Sequence, residues 1–287
     1  MAPRKTIEAS DPSDGGGIAL PEDVSAGAVR EDPLFINSLA KGLGVLKAFD
    51  GDWDALGLRE IAARSSISMG AAQRITHTLV RLGYLRKDDR TRRYRLSARM
   101  LDFAYHYLHA SPLYEVAIPF VATARDDCRE TVNVAELDGP EVVAVIRMPS
   151  QRRMNPTSTI GRRLPAFCTA GGRAQLAWLP QDELTDILDR TDFQPRTPRT
   201  ITDRAEVERR LEIAQREGFA LVDEEVNLGE IAVAAPILDG NGRPLAAVGV
   251  STSTAHWTVE GARERLAPVV METARRISRS LRGWKPF

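Results

Sequence analysis

Apolar residues recur along this chain at two spacings, and the switch between them separates two parts. From Phe35 onward, Leu39, Leu43, Leu46 and Phe49 return every three or four positions, the period of an amphipathic helix. Ser38 is placed to cap that helix, and Gly51 follows its end. Leu58, Ile61 and Ala62 predict a second short helix over 58–64, which Ser65-Ser66-Ile67-Ser68 breaks. Ser68 suits the cap of a third, whose Ala72, Ile75, Leu79 and Leu82 share one face until Gly83 stops it. Two short helices across a tight turn make a helix-turn-helix. Extended runs from Tyr84 to Lys87 and from Arg93 to Leu96 flank Asp88-Asp89-Arg90-Thr91-Arg92, the pattern of a hairpin with a charged tip, or wing. A stripe of Leu101, Tyr105 and Leu108 predicts a linking helix over 98–108, ended by Pro112, with a face suited to pairing with a second copy.

Beyond Leu113 strands and helices mix. A helix is predicted over 116–129 despite Pro119, and strands Thr131 to Leu137 and Glu141 to Met148 flank the turn Asp138-Gly139-Pro140. A strand over 218–226 precedes two more, Ile231 to Leu238 and Pro244 to Thr252, around Asp239-Gly240-Asn241-Gly242. Helices are predicted over 171–179, 181–189, 203–216 and 259–281. A mainly antiparallel sheet carrying helices, an α+β domain, is the natural assembly. No internal repeat is visible.

Composition adds bounds. The 287 residues exceed what one core usually organises, so at least two domains are expected. Hydrophobic residues make up 43% and charged ones 27%, which excludes a fibrous or wholly disordered chain. No apolar run approaches the roughly 20 residues that span a bilayer, and no secretion signal opens the chain, so it reads as cytoplasmic. Residues 1–33, with Pro3, Pro12, Gly15 to Gly17, Pro21 and Pro33, read as a disordered tail. Cys128 and Cys168 stand far apart and predict buried thiols, with neither a disulfide framework nor a zinc site.

Net charge is zero overall, yet between Leu58 and Arg99 eleven basic residues face three acidic ones. An excess of eight positive charges around one helix-turn-helix points to a polyanion as partner. The third helix leaves Met69, Gly70, Ala71, Gln73, Arg74, His77 and Arg81 on its polar side. A helix fits the major groove of DNA, where arginine pairs with guanine and glutamine with adenine, so Gln73 and Arg74 are the candidates for base reading. Arg59, Arg86, Lys87, Arg90, Arg92 and Arg93 are placed to meet phosphates. A competing reading pairs Arg74 with Glu60 inside the domain.

"FINSLAKGLGVLKAFDG" from Phe35, "LREIAARSSISMGAAQRITHTLVRLGYL" from Leu58 and "RRYRLSARMLDF" from Arg92 resemble the start of bacterial IclR-type transcription regulators. "RRLPAFCTAGGRAQLAWLP" from Arg162 and "GFALVDEEVNLGEIAVAAPILDGNGRPLAAVGVS" from Gly218 extend the likeness to about residues 35–283. The opening stretch and "LPAFCTAGGR" look most like the branch that controls protocatechuate, 4-hydroxybenzoate and β-ketoadipate catabolism. The resemblance implies a winged helix-turn-helix over 34–97, a linker helix over 98–112 and a GAF/PAS-like effector-binding and oligomerisation domain with an antiparallel sheet over 113–283. It implies double-stranded operator DNA and a small organic acid as partners, assembly as dimers or tetramers, contact with RNA polymerase as one route of action, no enzymatic activity and no cofactor. Where many relatives open the recognition helix with a Lys-Ser-Thr-like run, this chain has Met69-Gly70-Ala71, which removes a cation and two hydroxyl donors.

Carried over by motif, the effector pocket involves Thr169, Ala170, Gly171, Val222, Ala232, Gly249 and Ser251. Small-acid relatives carry an acidic side chain where Val222 stands and polar ones at Ala232 and Gly249. The expected pocket is therefore roomier and less polar, suited to a larger, aromatic acid. Backbone N–H groups of Ala170 to Gly172 at a helix start suit an anion, and Arg147, Arg152 or Arg153 could supply a cation. Met148 and Met154 are expected to pack. Asp223 and Glu225 of the Asp223-Glu224-Glu225 run share a strand face and are read as fold or solvent residues. His106 and His109 stand at i,i+3 spacing without a third metal ligand, and Cys168 lacks a neighbouring histidine to activate it. Two rival readings are an enzyme with an accessory DNA-binding domain, and a C-terminal domain that only oligomerises.

Overall fold

The computed structural model describes residues 33–49, 55–150 and 159–282. The predicted tail lies outside these residues apart from Pro33, as do Gly51, Arg152, Arg153 and Met154. The chain divides into two compact units, Met1–Tyr105 and His106–Phe287.

The first unit holds α1 (Asn37–Lys47), α2 (Leu58–Arg64), α3 (Met69–Arg81) and a hairpin of β1 (Leu85–Lys87) and β2 (Tyr94–Leu96). Ser38 does not cap α1: Ile36 holds that position without a side-chain bond, and Leu39 and Leu43 stay 58% and 50% exposed. The cap of α3 is Ser68, whose Oγ accepts from Ala71 N–H. Ala72 and Leu79 of α3 are buried, but Leu82 is exposed and the polar Thr76 is buried. Thr76 is tolerated there because its hydroxyl donates to the Ala72 carbonyl at 2.8 Å. Gly83, at φ +83°, turns the chain into the hairpin. Val45, Leu56, Ile61, Leu79, Leu85 and Tyr94 close one small core under all these elements. At the hairpin tip the Asp88 carboxylate accepts from the N–H groups of Arg90 and Thr91, both at 2.8 Å, and Arg92 adopts the left-handed region. Those two bonds hold the Asp88 carboxyl below the usual range.

The helix α4 (Leu101–Ala110) follows a short 3-10 turn, and Pro112 opens α5 (Pro112–Cys128), which runs through Pro119. Proline at the first helical position lacks only a donor that would have gone unpaired there. The second unit is built on a six-stranded antiparallel sheet, in the order β5-β4-β3-β8-β7-β6. Its strands are β3 (Thr131–Asp138), β4 (Glu141–Met148), β5 (Arg163–Pro165), β6 (Ala220–Asp223), β7 (Glu230–Leu238) and β8 (Pro244–Ser253). The helices α6 (Ala170–Leu176), α7 (Gln181–Asp189) and α8 (Arg204–Glu217) lie between β5 and β6, and α9 (Val259–Arg265) and α10 (Ala267–Ser280) end the unit. The single helix predicted over 259–281 is thus two, parted at Leu266 where Pro268 enters the first turn of the next. β5, three residues long and ending in proline, gives too little periodicity to be read.

Each face of the sheet has its own core. Val132, Val134, Val233, Val248 and Val250 pack with Val121 of α5 and Val270 and Ile277 of α10. Ala135, Ala234 and Ala247 on the other face pack with Ala170 and Ala174 of α6 and with Val207 and Leu211 of α8. Strand alternation assigns odd residues of β3 to the second face. In β4 the register shifts, so that Val134 lies opposite Ile146 while Ala135 lies opposite Ala144. Val145 is the additional residue of a bulge, and both Val145 and Ile146 enter the first core.

Candidate functional site

On the first unit, Arg59, Met69, Gly70, Gln73, Arg74, His77, Arg86, Lys87, Arg90 and Arg92 are all exposed, and Ala71 is half-buried. Arg93 is directed inward instead: its guanidinium donates to the Ala55 carbonyl and, at 2.8 Å, to Glu60. The same Glu60 carboxylate accepts from Gly57 N–H at the start of α2, and that bond first, then Arg93, keeps its carboxyl below the usual range. Arg93 therefore ties the wing to α2, and the partner of Glu60 is Arg93, not Arg74. Arg95, part of the basic excess but not among the phosphate contacts expected from the sequence, is exposed directly opposite Arg86 in the hairpin. Like charges facing each other across two strands oppose folding by roughly 0.2–1 kcal/mol. An anion lying over the hairpin would relieve that repulsion.

The second unit contains a cavity of about 810 Å³ between the α6 face of the sheet and the β6–β7 loop. Thr169, Ala170, Gly171, Val222, Ala232, Gly249 and Ser251 all line it, and so does Arg147. The bulge explains Arg147. In a regular strand it would point with Val145 into the helical core; the additional residue turns it to the face of Ala144, opposite Asn133. Arg162 also lines the cavity, together with Leu164, while Arg163 between them points away to Glu141 and Asp138.

The cavity is polar at one end and apolar at the other. Along the sheet, Glu230 and Ser253 form one cross-strand pair, Ala232, Ser251 and Thr131 the next row, then Ala234, Gly249, Asn133 and Arg147. Beyond them come Ala247, Ala135 and Ala144, with Val142 and Leu164 closing the apolar end below Gly171 of α6. Gly249 is tight: a Cβ there would sit 3.2 Å from both the Ala234 Cβ and the Val233 carbonyl oxygen. The start of α6 offers an anion less than its sequence suggests, because Gly172 N–H already donates to Thr169 Oγ1 and the helix has only seven residues. Cation chemistry rests on the arginines. Burial holds both Arg147 and Arg162 below the usual arginine range; Arg162 adds to the fall in Arg147 and Arg196 to that in Arg162, while Glu230 opposes it in each. Burial raises the Glu230 carboxyl, against a hydrogen bond from Asn227 and the two arginines.

Elsewhere the reactive-looking residues are accounted for. Arg173 of α6, 1% exposed, makes a two-pronged bond to Glu225 at 2.6 and 2.7 Å and donates from Nε to the Phe167 carbonyl. Asp223 and Glu224 pair with Arg199. Cys168 is fully buried and its thiol is pushed up to about 12, whereas Cys128 is half-buried. Met148 packs on the first core. Among the described residues no group of three or more His, Cys, Asp or Glu could hold a metal, and no helix is long and apolar enough to cross a membrane.

Residues 38–89 match the model of the IclR helix-turn-helix domain, and residues 105–279 that of the bacterial transcriptional regulator IclR C-terminal domain. The Pca regulon regulatory protein of Pseudomonas putida is 34% identical over 257 residues, 89% of this chain and 88% of its own. The p-hydroxybenzoate hydroxylase transcriptional activator of Acinetobacter baylyi is 33% identical over 84% of this chain and 90% of its own. Among solved structures, an IclR family transcriptional regulator from Brucella abortus superposes with a TM-score of 0.76 at 29% identity, covering 90% of this chain and 97% of that one.

Proposed function

The chain belongs to the IclR family of bacterial transcriptional regulators, and from this premise we propose that it controls aromatic-acid catabolism by sensing an aromatic acid in the cavity. The observation that carries the reading is the lining of that cavity: Arg147 opposite Asn133 and Arg162 beside Ala144, with alanines along the floor. A carboxylate meets Arg147 and Arg162 while an apolar ring lies over Ala135, Ala144 and Ala234. The relatives named for the Pca regulon and for p-hydroxybenzoate hydroxylase support this class of effector.

In this reading residues 34–97 bind operator DNA, residues 98–112 link, and residues 113–283 bind the effector. Gln73 and Arg74 read bases; Arg59, Arg86, Lys87, Arg90, Arg92 and, in addition, Arg95 meet phosphates. The protein works in the cytoplasm as a homodimer or homotetramer, without catalysing a reaction, and acts on transcription directly or through RNA polymerase. Self-association is supported by Ile36, Leu39 and Leu43 along α1 and by Leu101 and Tyr105 on α4, all at least half exposed in one copy.

The test is titration of the purified protein with 4-hydroxybenzoate, protocatechuate and β-ketoadipate by calorimetry, alongside anisotropy of its upstream intergenic DNA. Binding of an aromatic acid that changes DNA affinity is expected. Arg147→Ala and Arg162→Ala should each weaken that acid about 10–100-fold, since a bond to a charged group contributes about 1.5–3 kcal/mol. Full retention of affinity in both variants would overturn the assignment.

A further inference from the structure

One amide on the cavity floor is left unused by the fold. Asn133 of β3 lies between Arg147 of β4 and Gly249 of β8 and lines the cavity. Its polar neighbours on the floor are taken: Thr131 Oγ1 accepts from Ser150 N–H at 3.1 Å, Ser253 Oγ from Ala255 N–H at 3.2 Å, and Glu230 from Asn227 Nδ2 at 3.1 Å. The Asn133 amide has no hydrogen-bond partner among the described residues. Its Oδ1 stands 3.5 Å from where a Gly249 Cβ would lie, so the glycine leaves the β8 side of the amide open. The half-buried carboxamide therefore offers both a donor and an acceptor to whatever occupies the cavity.

Position decides what the amide reads. Arg147 and Arg162 both belong to the β4 side of this surface, since the Arg162 carbonyl accepts from Ala144 N–H at 3.0 Å. With a carboxylate held there, the ring extends inward over β3 toward β8, across strands spaced about 4.8 Å apart. Asn133 leans toward β8, so it meets the ring's substituents rather than the carboxylate. Gly249 and Ala234, next in that row, supply no hydrogen-bonding side chain in its place. A hydroxyl suits the amide, donating to Oδ1 or accepting from Nδ2, whereas a ring without one leaves the amide unpaired in a partly dehydrated cleft. We propose that Asn133 is a specificity-determining residue that recognises a ring hydroxyl, so that the effector is a hydroxylated aromatic acid. The inference rests on the reading of this cavity as the acid-binding site.

The experiment pairs probes of matched size: 4-hydroxybenzoate with 4-methylbenzoate, and 3-hydroxybenzoate with 3-methylbenzoate. Calorimetric titration of the full chain at pH 7.5 gives each hydroxyl-to-methyl affinity ratio in the wild type, in Asn133→Ala and in Asn133→Val, whose branched side chain suits a strand. The wild type should favour the hydroxyl in at least one pair. Both variants should reduce that preference about 3–10-fold while binding the methyl acid within about twofold of the wild type. An unchanged ratio in a folded variant, an equal loss for both acids of a pair, or a wild type that favours the hydroxyl in neither pair would overturn the proposal while leaving acid binding intact. Failure of the wild type to bind any of the four would remove the acid-binding reading and this inference with it. Should one variant not fold, as judged by circular dichroism, the other decides; should neither fold, Asn133 serves the fold and the proposal falls.

Discussion

The guanidinium of Arg173 is out of contact with water, and its charge is answered by Glu225, fifty-two residues away, and by one carbonyl. Glu225 in turn accepts Ile201 N–H at 3.1 Å. The pair fastens α6, which roofs the apolar end of the cavity, to the segment ahead of α8. Glu225→Gln leaves a buried cation without its counter-charge, and the expected loss is about 3–5 kcal/mol of stability, read from the urea midpoint of the full chain. A midpoint unchanged from wild type would show that water reaches Arg173. Gly172 has an equally local reason: a Cβ there would come within 2.2 Å of the Ala166 carbonyl oxygen, so only glycine lets α6 start against the preceding turn. The sequence shows Arg173 and Glu225 as residues but not as partners, because nothing local relates positions so far apart. Glu230 and Arg162 escaped notice for the same reason; the alternation Arg162, Arg163, Leu164 was the one available sign that Arg162 and Leu164 share a face.

At the scale of elements, caps and periodicities were legible and irregularities were not. Ser68, Gly83, Asp203 and Gly218 punctuate α3 and α8 as their chemistry requires, and α2, α7 and β4 have the bounds their patterns predict. The misread elements are those where tertiary packing overrode period: Leu39 and Leu43 have the spacing of a core face yet remain on the surface, and Thr76 occupies an inner position because its hydroxyl finds a carbonyl. The hairpin yields a prediction. Because Arg86 and Arg95 face each other, Arg95→Thr should raise the stability of the first unit slightly, by about 0.2–1 kcal/mol. The same change should weaken DNA binding on all sequences alike and lower the salt slope by about 0.9 for one lost phosphate contact. A variant that is stabilised yet binds DNA with the wild-type salt slope would exclude Arg95 from the interface.

At the scale of the molecule, each of the two units has a core of its own, so each is expected to report its own ligand. In scanning calorimetry an acid at about 100 times its Kd should raise the transition of the second unit by the equivalent of about 2.7 kcal/mol. Operator DNA alone should raise the other. Any change the acid makes in DNA affinity must return as an equal change in acid affinity when DNA is present, which a pair of titrations checks directly. The lining of the cavity depends on one bulged residue. Because Val145 offsets β4, which residues face the cavity is set there by the bulge as much as by side-chain chemistry. Were β4 to run regularly with all its residues kept, inside and outside would exchange for the rest of the strand and Ile146 would stand opposite Asn133, where Arg147 now does, whereas deleting Val145 would leave Arg147 in place. A change that erased the bulge while keeping the residue count would therefore alter what the cavity presents without replacing any side chain that lines it, a fault that comparison of letters alone would miss.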